Sequence, residues 1–204
     1  MQWGSLGAYI QNLFYLNIEL FGGKLLIVLR PVDIVVLLKL CTLEGRPPYL
    51  DLARDLRLYP SEVYVSLKRA VESQLLHRQK RHDRLNRSAL LEFLLHGIRY
   101  AFPAQKGALT RGVPTSYAAP PLNEQVSADD DPSPVWPYAQ GSVRGYSFAP
   151  LHKNVPIAAL EDKRLYELLA LVDAVRDGRA RERTLAAREL TQRLGERSDG
   201  ANTS

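Results

Sequence analysis

The sequence predicts a mainly α fold with one small β element, and three observations lead there. Apolar residues recur at helical spacing in three short segments between Leu29 and Gln74, punctuated by Pro31, Gly45 and Pro60. A strongly basic segment of hairpin length, His77–Arg87, follows directly. Nine of the 13 prolines then fall within residues 103–156, and two further helical stripes begin at Leu160. The expected organisation is an extension at 1–28, a three-helix unit with a basic wing at 29–102, a Pro-rich extended arm at 103–156, C-terminal α-helices at 157–195 and a disordered tail at 196–204.

A chain of 204 residues with 46% hydrophobic content can build a core of ordinary size. The net charge of +5 is a mild basic excess whose distribution matters more than its sum. The single cysteine, Cys41, excludes an internal disulfide and a thiolate metal cluster within one chain; inside an apolar run it reads as a small core residue. No window of eighteen apolar residues appears near the N-terminus, so no membrane span is expected, and no charged segment precedes an apolar core as in a secretory signal. The protein is therefore expected in the cytoplasm. About the first 27 residues read as an over-long translation start, with Val28 the true one.

Each element has its own justification. Pro31 opens the first helix and Gly45 follows it; only Asp33 and Lys39 interrupt the apolar residues from Val32 to Leu40, so this helix is expected to be buried nearly all round. In the second, Leu52, Ala53 and Leu56 turn inward. Pro60 opens the third, whose inner stripe of Val63, Leu67, Ala70, Val71 and Gln74 spans about 100° of a helical wheel, leaving Ser61, Glu62, Val65, Lys68 and Arg69 outside. A fourth, apolar helix is expected from Ser88 to Phe102. In the arm, residues 123–134 read as linker. Tyr117, Trp136, Tyr138, Tyr146 and Phe148 are too apolar for that and imply packing, with a strand at Val143–Phe148. Aromatic packing is the plainer reading of Trp136, Tyr138, Tyr146 and Phe148, a ligand pocket beneath them the other. Two helices, near Asp162–Arg176 and Arg179–Leu194, are expected to hinge at Gly178.

The stretch "DLARDLRLYPSEVYVSLKRAVESQLLHRQ" resembles the winged helix-turn-helix transcriptional regulators, most nearly those of the MarR type, over about Leu29 to Arg87. Two positions depart from that pattern. Arg57 stands where glycine usually makes the turn, at a cost of roughly 1–2 kcal/mol if left-handed. Tyr59 stands where serine or threonine usually caps the third helix, and it cannot accept the first-turn amides as they do.

The resemblance implies double-stranded DNA as partner. A major groove about 12 Å wide admits one helix, whose first turns reach base edges. Ser61, Glu62, Val65, Ser66 and Arg69 would face the bases, Tyr64 and Lys68 the backbone. Arg69 matters most, because arginine pairs with guanine through two hydrogen bonds; burial of Arg69 inside the fold would overturn this proposal. The wing carries Arg78, Lys80, Arg81, Arg84 and Arg87 against the single acid Asp83, a local +4 suited to phosphate contact. His77 and His82 lack the neighbouring ligands that a metal site requires, and no metal is assigned.

The stripe Leu165, Leu168, Leu169, Val172, Val175, Ala186, Leu190 and Leu194 fits packing onto the chain's own core, a homodimer interface or a site for another protein; the resemblance implies dimerisation. Arg176, Arg179, Arg181, Arg183 and Arg188 are expected outside. No phosphate-binding loop and no nucleophile elbow is present. His96, on the apolar fourth helix, reads as a hydrogen-bonded core residue, and His152 has no evident acid partner. The chain is thus not expected to be an enzyme, and no catalytic residue or cofactor is assigned. The expectation is a dimeric, DNA-binding transcription repressor. The alternatives are an antitoxin-like or adaptor protein that binds a cognate partner and autoregulates its operon, and a winged domain used only for protein contacts.

Overall fold

The computed structural model describes residues 18–21, 24–43, 45, 47–78, 84–126 and 132–195. Expectations about the translation start, the tail at 196–204, Lys80, Arg81 and His82 lie outside these. Strands β1 (Ile18–Phe21) and β2 (Lys24–Ile27) pair antiparallel. Helices α1 (Pro31–Thr42), α2 (Tyr49–Leu56) and α3 (Pro60–Glu72) follow, then a hairpin of β3 (Leu76–His77) and β4 (Arg84–Leu85). Next come α4 (Arg87–Glu92), a π-helical turn (Phe93–Gly97) and α5 (Ile98–Ala101). The remainder is β5 (Lys106–Pro114), two 3-10 turns (Ser116–Ala118 and Leu122–Glu124), β6 (Pro134–Pro137), β7 (Val143–Phe148), α6 (Val155–Glu161), α7 (Lys163–Asp177) and α8 (Ala180–Gly195). The fold is helix-rich, as the sequence implies. Among the described residues no helix is long and apolar enough to cross a membrane.

Helix α1 is central. Every residue from Asp33 to Lys39 is buried, and the helix packs against both α3 and α7. One continuous apolar core runs from Ile34 and Leu52 through Leu94, Trp136 and Phe148 to Leu190, across the boundaries drawn from sequence. The apolar stripe of α7 and α8 is spent there. Leu165, Leu168, Leu169, Val172, Val175, Ala186, Leu190 and Leu194 are all at most 5% exposed, so the stripe is not available as a dimer interface and that assignment is corrected. Facing α1 and α4 already removes it from water, which leaves a second copy nothing to bury.

The arm is ordered over its described parts. β5 pairs antiparallel with both β6 and β7, which pair parallel with each other, so three strands close on themselves. Closure demands close backbone approach: a β carbon at Gly112 or Gly145 would run into the carbonyl of Trp136 or Ser133. The sheet is anchored to α7 through a fully buried polar cluster. Asp173 accepts from Trp136 Nε1 at 2.6 Å, Thr115 Oγ1 at 2.9 Å and Arg176 Nη1 at 2.6 Å. Burial raises the Asp173 carboxyl against the opposing pull of Arg176 and these donors. Arg176, expected outside, is buried. It donates to the carbonyls of Phe102 (2.9 Å) and Ala149 (3.4 Å), and lies 5.4 Å from the Phe148 ring centre.

Candidate nucleic-acid interface

Pro60 supplies a preset φ at the first position of α3, where an amide hydrogen would have no partner. Glu62 replaces the missing side-chain cap in part, its Oε2 accepting from the Tyr59 amide at 2.9 Å. Val63, Leu67 and Ala70 are buried, and Ala53 of α2 is buried with them. The turn ahead of α3 is left-handed at Arg57, with φ 55° and ψ 35°. The Leu58 amide reaches back to the Ala53 carbonyl at 2.8 Å and the Arg57 amide to Arg54 at 3.2 Å, a closure in which glycine usually holds the left-handed place. Helix α3 ends the same way, with Gln74 at φ 59° and Leu75 donating to Ala70 at 2.9 Å. Gln74 therefore lies beyond the helix and is exposed, not part of the inner stripe.

The outer face of α3 is narrower than the sequence implies. Ser61, Glu62, Tyr64 and Lys68 are exposed and Val65 is half-buried. Ser66 and Arg69 are inside, at 1% and 5% exposure. Both bind Asp33 of α1. Arg69 Nε donates to Oδ2 at 2.7 Å, Arg69 Nη2 to Oδ1 at 2.6 Å and Ser66 Oγ to Oδ1 at 2.7 Å. The Arg30 amide completes the set, donating to Oδ2 at 2.7 Å. A carboxylate inside an apolar helix must find a counter-charge, and Arg69 supplies it. Base reading by Arg69 and Ser66 is thereby overturned. The signal that could have found this pair was Asp33 itself, the lone acid in an otherwise apolar helix.

The hairpin stands where the sequence placed the wing, pairing Leu76 with Leu85 and His77 with Arg84. Arg78 and Arg84 are exposed. Arg87 is half-buried at the start of α4, near enough to Cys41 to act on its thiol, which burial pushes up to about 12. His96 is exposed, a correction to its expected place in the core. On the outer face of α3, Lys68 is outweighed by Glu62 and Glu72, so the cations suited to phosphate are those of the hairpin.

Sequence reasoning missed the support behind this unit. Asn154 Nδ2 donates to the Arg57 carbonyl, and Arg57 pairs with Glu161 of α6. Lys39 Nζ bridges Asp55 of α2 at 3.0 Å and Asp162, ahead of α7, at 2.8 Å. Burial opposes the Lys39 charge, yet the two carboxylates hold its pKa above the usual value. His152 is pulled down by burial, against Glu62, which raises it. The aromatic arm divides. Trp136 and Phe148 are buried, while Tyr146 and Tyr117 line a cleft of about 480 Å3 between the sheet and the α7–α8 junction.

Family models, curated proteins and solved structures were compared with the chain, and none matches.

Proposed function

We propose, in place of the base-reading mechanism that the burial of Arg69 overturns, that this chain is a DNA-binding transcription regulator of the winged helix-turn-helix kind whose hold on DNA comes from the hairpin. The observation that carries the reading is local. A 13-residue helix, set by a left-handed turn, turns Ser61, Tyr64 and Lys68 outward, and a hairpin bearing exposed Arg78 and Arg84 follows it directly. Affinity then comes from phosphate contact by the hairpin, with Tyr64 and Lys68 toward the backbone, and base discrimination falls to Ser61, Glu62 and Val65. Repression would be steric, by occupancy of an operator. A twofold dimer on a palindrome would need a surface other than the α7–α8 stripe.

A second reading, a module that binds a cognate protein, is favoured by the apolar character of the same face. Tyr59 and Tyr64 are 75% and 53% exposed, and Tyr64 meets Tyr49 edge-on at 6.4 Å. Aromatic side chains of this kind anchor protein interfaces.

Selection of bound genomic fragments, followed by titration of a recovered duplex against salt, separates the two. DNA binding through the hairpin predicts a linear log–log plot with a slope of about −0.9 per phosphate neutralised, flattened when Arg78, Lys80 and Arg81 become alanine. Lys68→Ala should weaken binding to every duplex alike, and Ser61→Ala should relax sequence preference. Failure to retain any duplex in dilute buffer ends the DNA reading; co-purification of one protein with the face of Tyr59 and Tyr64 would put the second in its place.

A further inference from the structure

The sheet presents a feature that the DNA reading does not use. In the β5–β7 pairing Arg111 lies directly opposite Arg144, with Leu109 opposite Tyr146 one step along the same face. All four are exposed. Side chains so placed have β carbons about 5 Å apart, and like charges there repel. Among the described residues neither guanidinium has a hydrogen bond or ion pair. The strands themselves, Lys106–Pro114, Pro134–Pro137 and Val143–Phe148, contain no aspartate or glutamate; the acids of this region, Glu124 and Asp129–Asp131, lie in the connection between β5 and β6. Around the pair is a depression of about 370 Å3, lined also by Thr110, Ser142 and Val143.

From this juxtaposition we infer that Arg111 and Arg144 form a phosphate-recognition site. One guanidinium saturates the two oxygens of a carboxylate, whereas a phosphate group has enough oxygens to receive two guanidinium forks at once. The Ser142 hydroxyl is a further donor at the rim. The depression is open and leaves room for a phosphate carried on a larger molecule. Its source is a small phosphomonoester or a nucleic-acid backbone. The site is independent of the hairpin and stands whether or not α3 meets DNA.

The test uses the full chain with isotope-labelled arginine, following the side-chain Nε–H signals, in a background where Arg78, Lys80, Arg81 and Arg84 are alanine so that the hairpin's cations are removed. The probes are inorganic phosphate, adenosine monophosphate and a short duplex, with sodium chloride of equal ionic strength as the blank. Saturable shifts of the Arg111 and Arg144 signals with phosphate or the nucleotide, weakened about tenfold or more by Arg111→Gln or Arg144→Gln, assign a small phosphorylated ligand. The same response to the duplex alone assigns a backbone. Shifts that follow ionic strength only, or that persist undiminished at one of the two arginines when the other is glutamine, overturn the site. Both side chains project into solvent, so the variants should keep the parent's melting temperature or exceed it.

Discussion

Replacing Asp33 with alanine would leave Arg69 as a cation at 5% exposure with no counter-charge. The carboxylate accepts four hydrogen bonds, from Arg69 Nε, Arg69 Nη2, Ser66 Oγ and the Arg30 amide, at 2.6–2.7 Å. Breaking a buried pair from one side costs about 3–5 kcal/mol, because the remaining charge stays desolvated. The orphaned hydroxyl and amide add to this, and water entering the site returns part of it, so about 4 kcal/mol is expected. With a urea dependence of about 2 kcal/mol per molar, the unfolding midpoint falls by about 2 M. The measurement is urea unfolding followed by circular dichroism, with the slope compared between parent and variant. The paired substitution Asp33→Leu with Arg69→Met should recover most of the loss, since an apolar pair of similar volume needs no partner. A loss under about 1 kcal/mol for Asp33→Ala would refute the reasoning. Arg69→Ala should likewise lower stability while leaving any DNA sequence preference intact at temperatures where the variant is folded.

The other predictions are smaller. Burial raises the Asp162 carboxyl, but hydrogen bonds from Lys39 and the Leu165 amide outweigh it and hold the pKa below 3.8. Its charge should therefore stabilise the fold above that pH and stop doing so as pH falls through the folded value; the parent's advantage over Asp162→Asn should vanish on acidification in melting experiments. With a thiol at about 12, Cys41 should react with a disulfide reagent at mildly alkaline pH on the order of a hundredfold more slowly than an unfolded cysteine, and urea should abolish the difference. Gln74→Gly should raise stability by about 1 kcal/mol, because φ 59° costs a side-chain-bearing residue and not glycine; a lower melting temperature would contradict this.

Local order was legible in the sequence where local rules decide it. Pro31 and Pro60 open α1 and α3, Gly178 separates α7 from α8, and β7 spans the expected Val143–Phe148. The face of α3 was misread at Ser66 and Arg69 because a helical wheel counts arginine as an outward residue and knows nothing of Asp33, 36 positions away. Arg176 was misplaced for a related reason: apart from Asp173 on its own helix, its partners are the carbonyls of Phe102 and Ala149, remote in sequence. The stripe on α7 and α8 was visible as a stripe; which surface it meets is a tertiary fact that periodicity does not encode.

The bracing of the Arg57 turn by Asn154 and Glu161, and of Lys39 by Asp162, has a consequence for anyone cutting the gene. Residues 29–102 resemble a portable cassette, yet the bolts that fix its corner are forged a hundred positions downstream. A fragment ending near residue 102 would expose the α7-facing side of α1 and strand a buried lysine beside one carboxylate in place of two. Grafting that piece onto a foreign tail should give aggregated material.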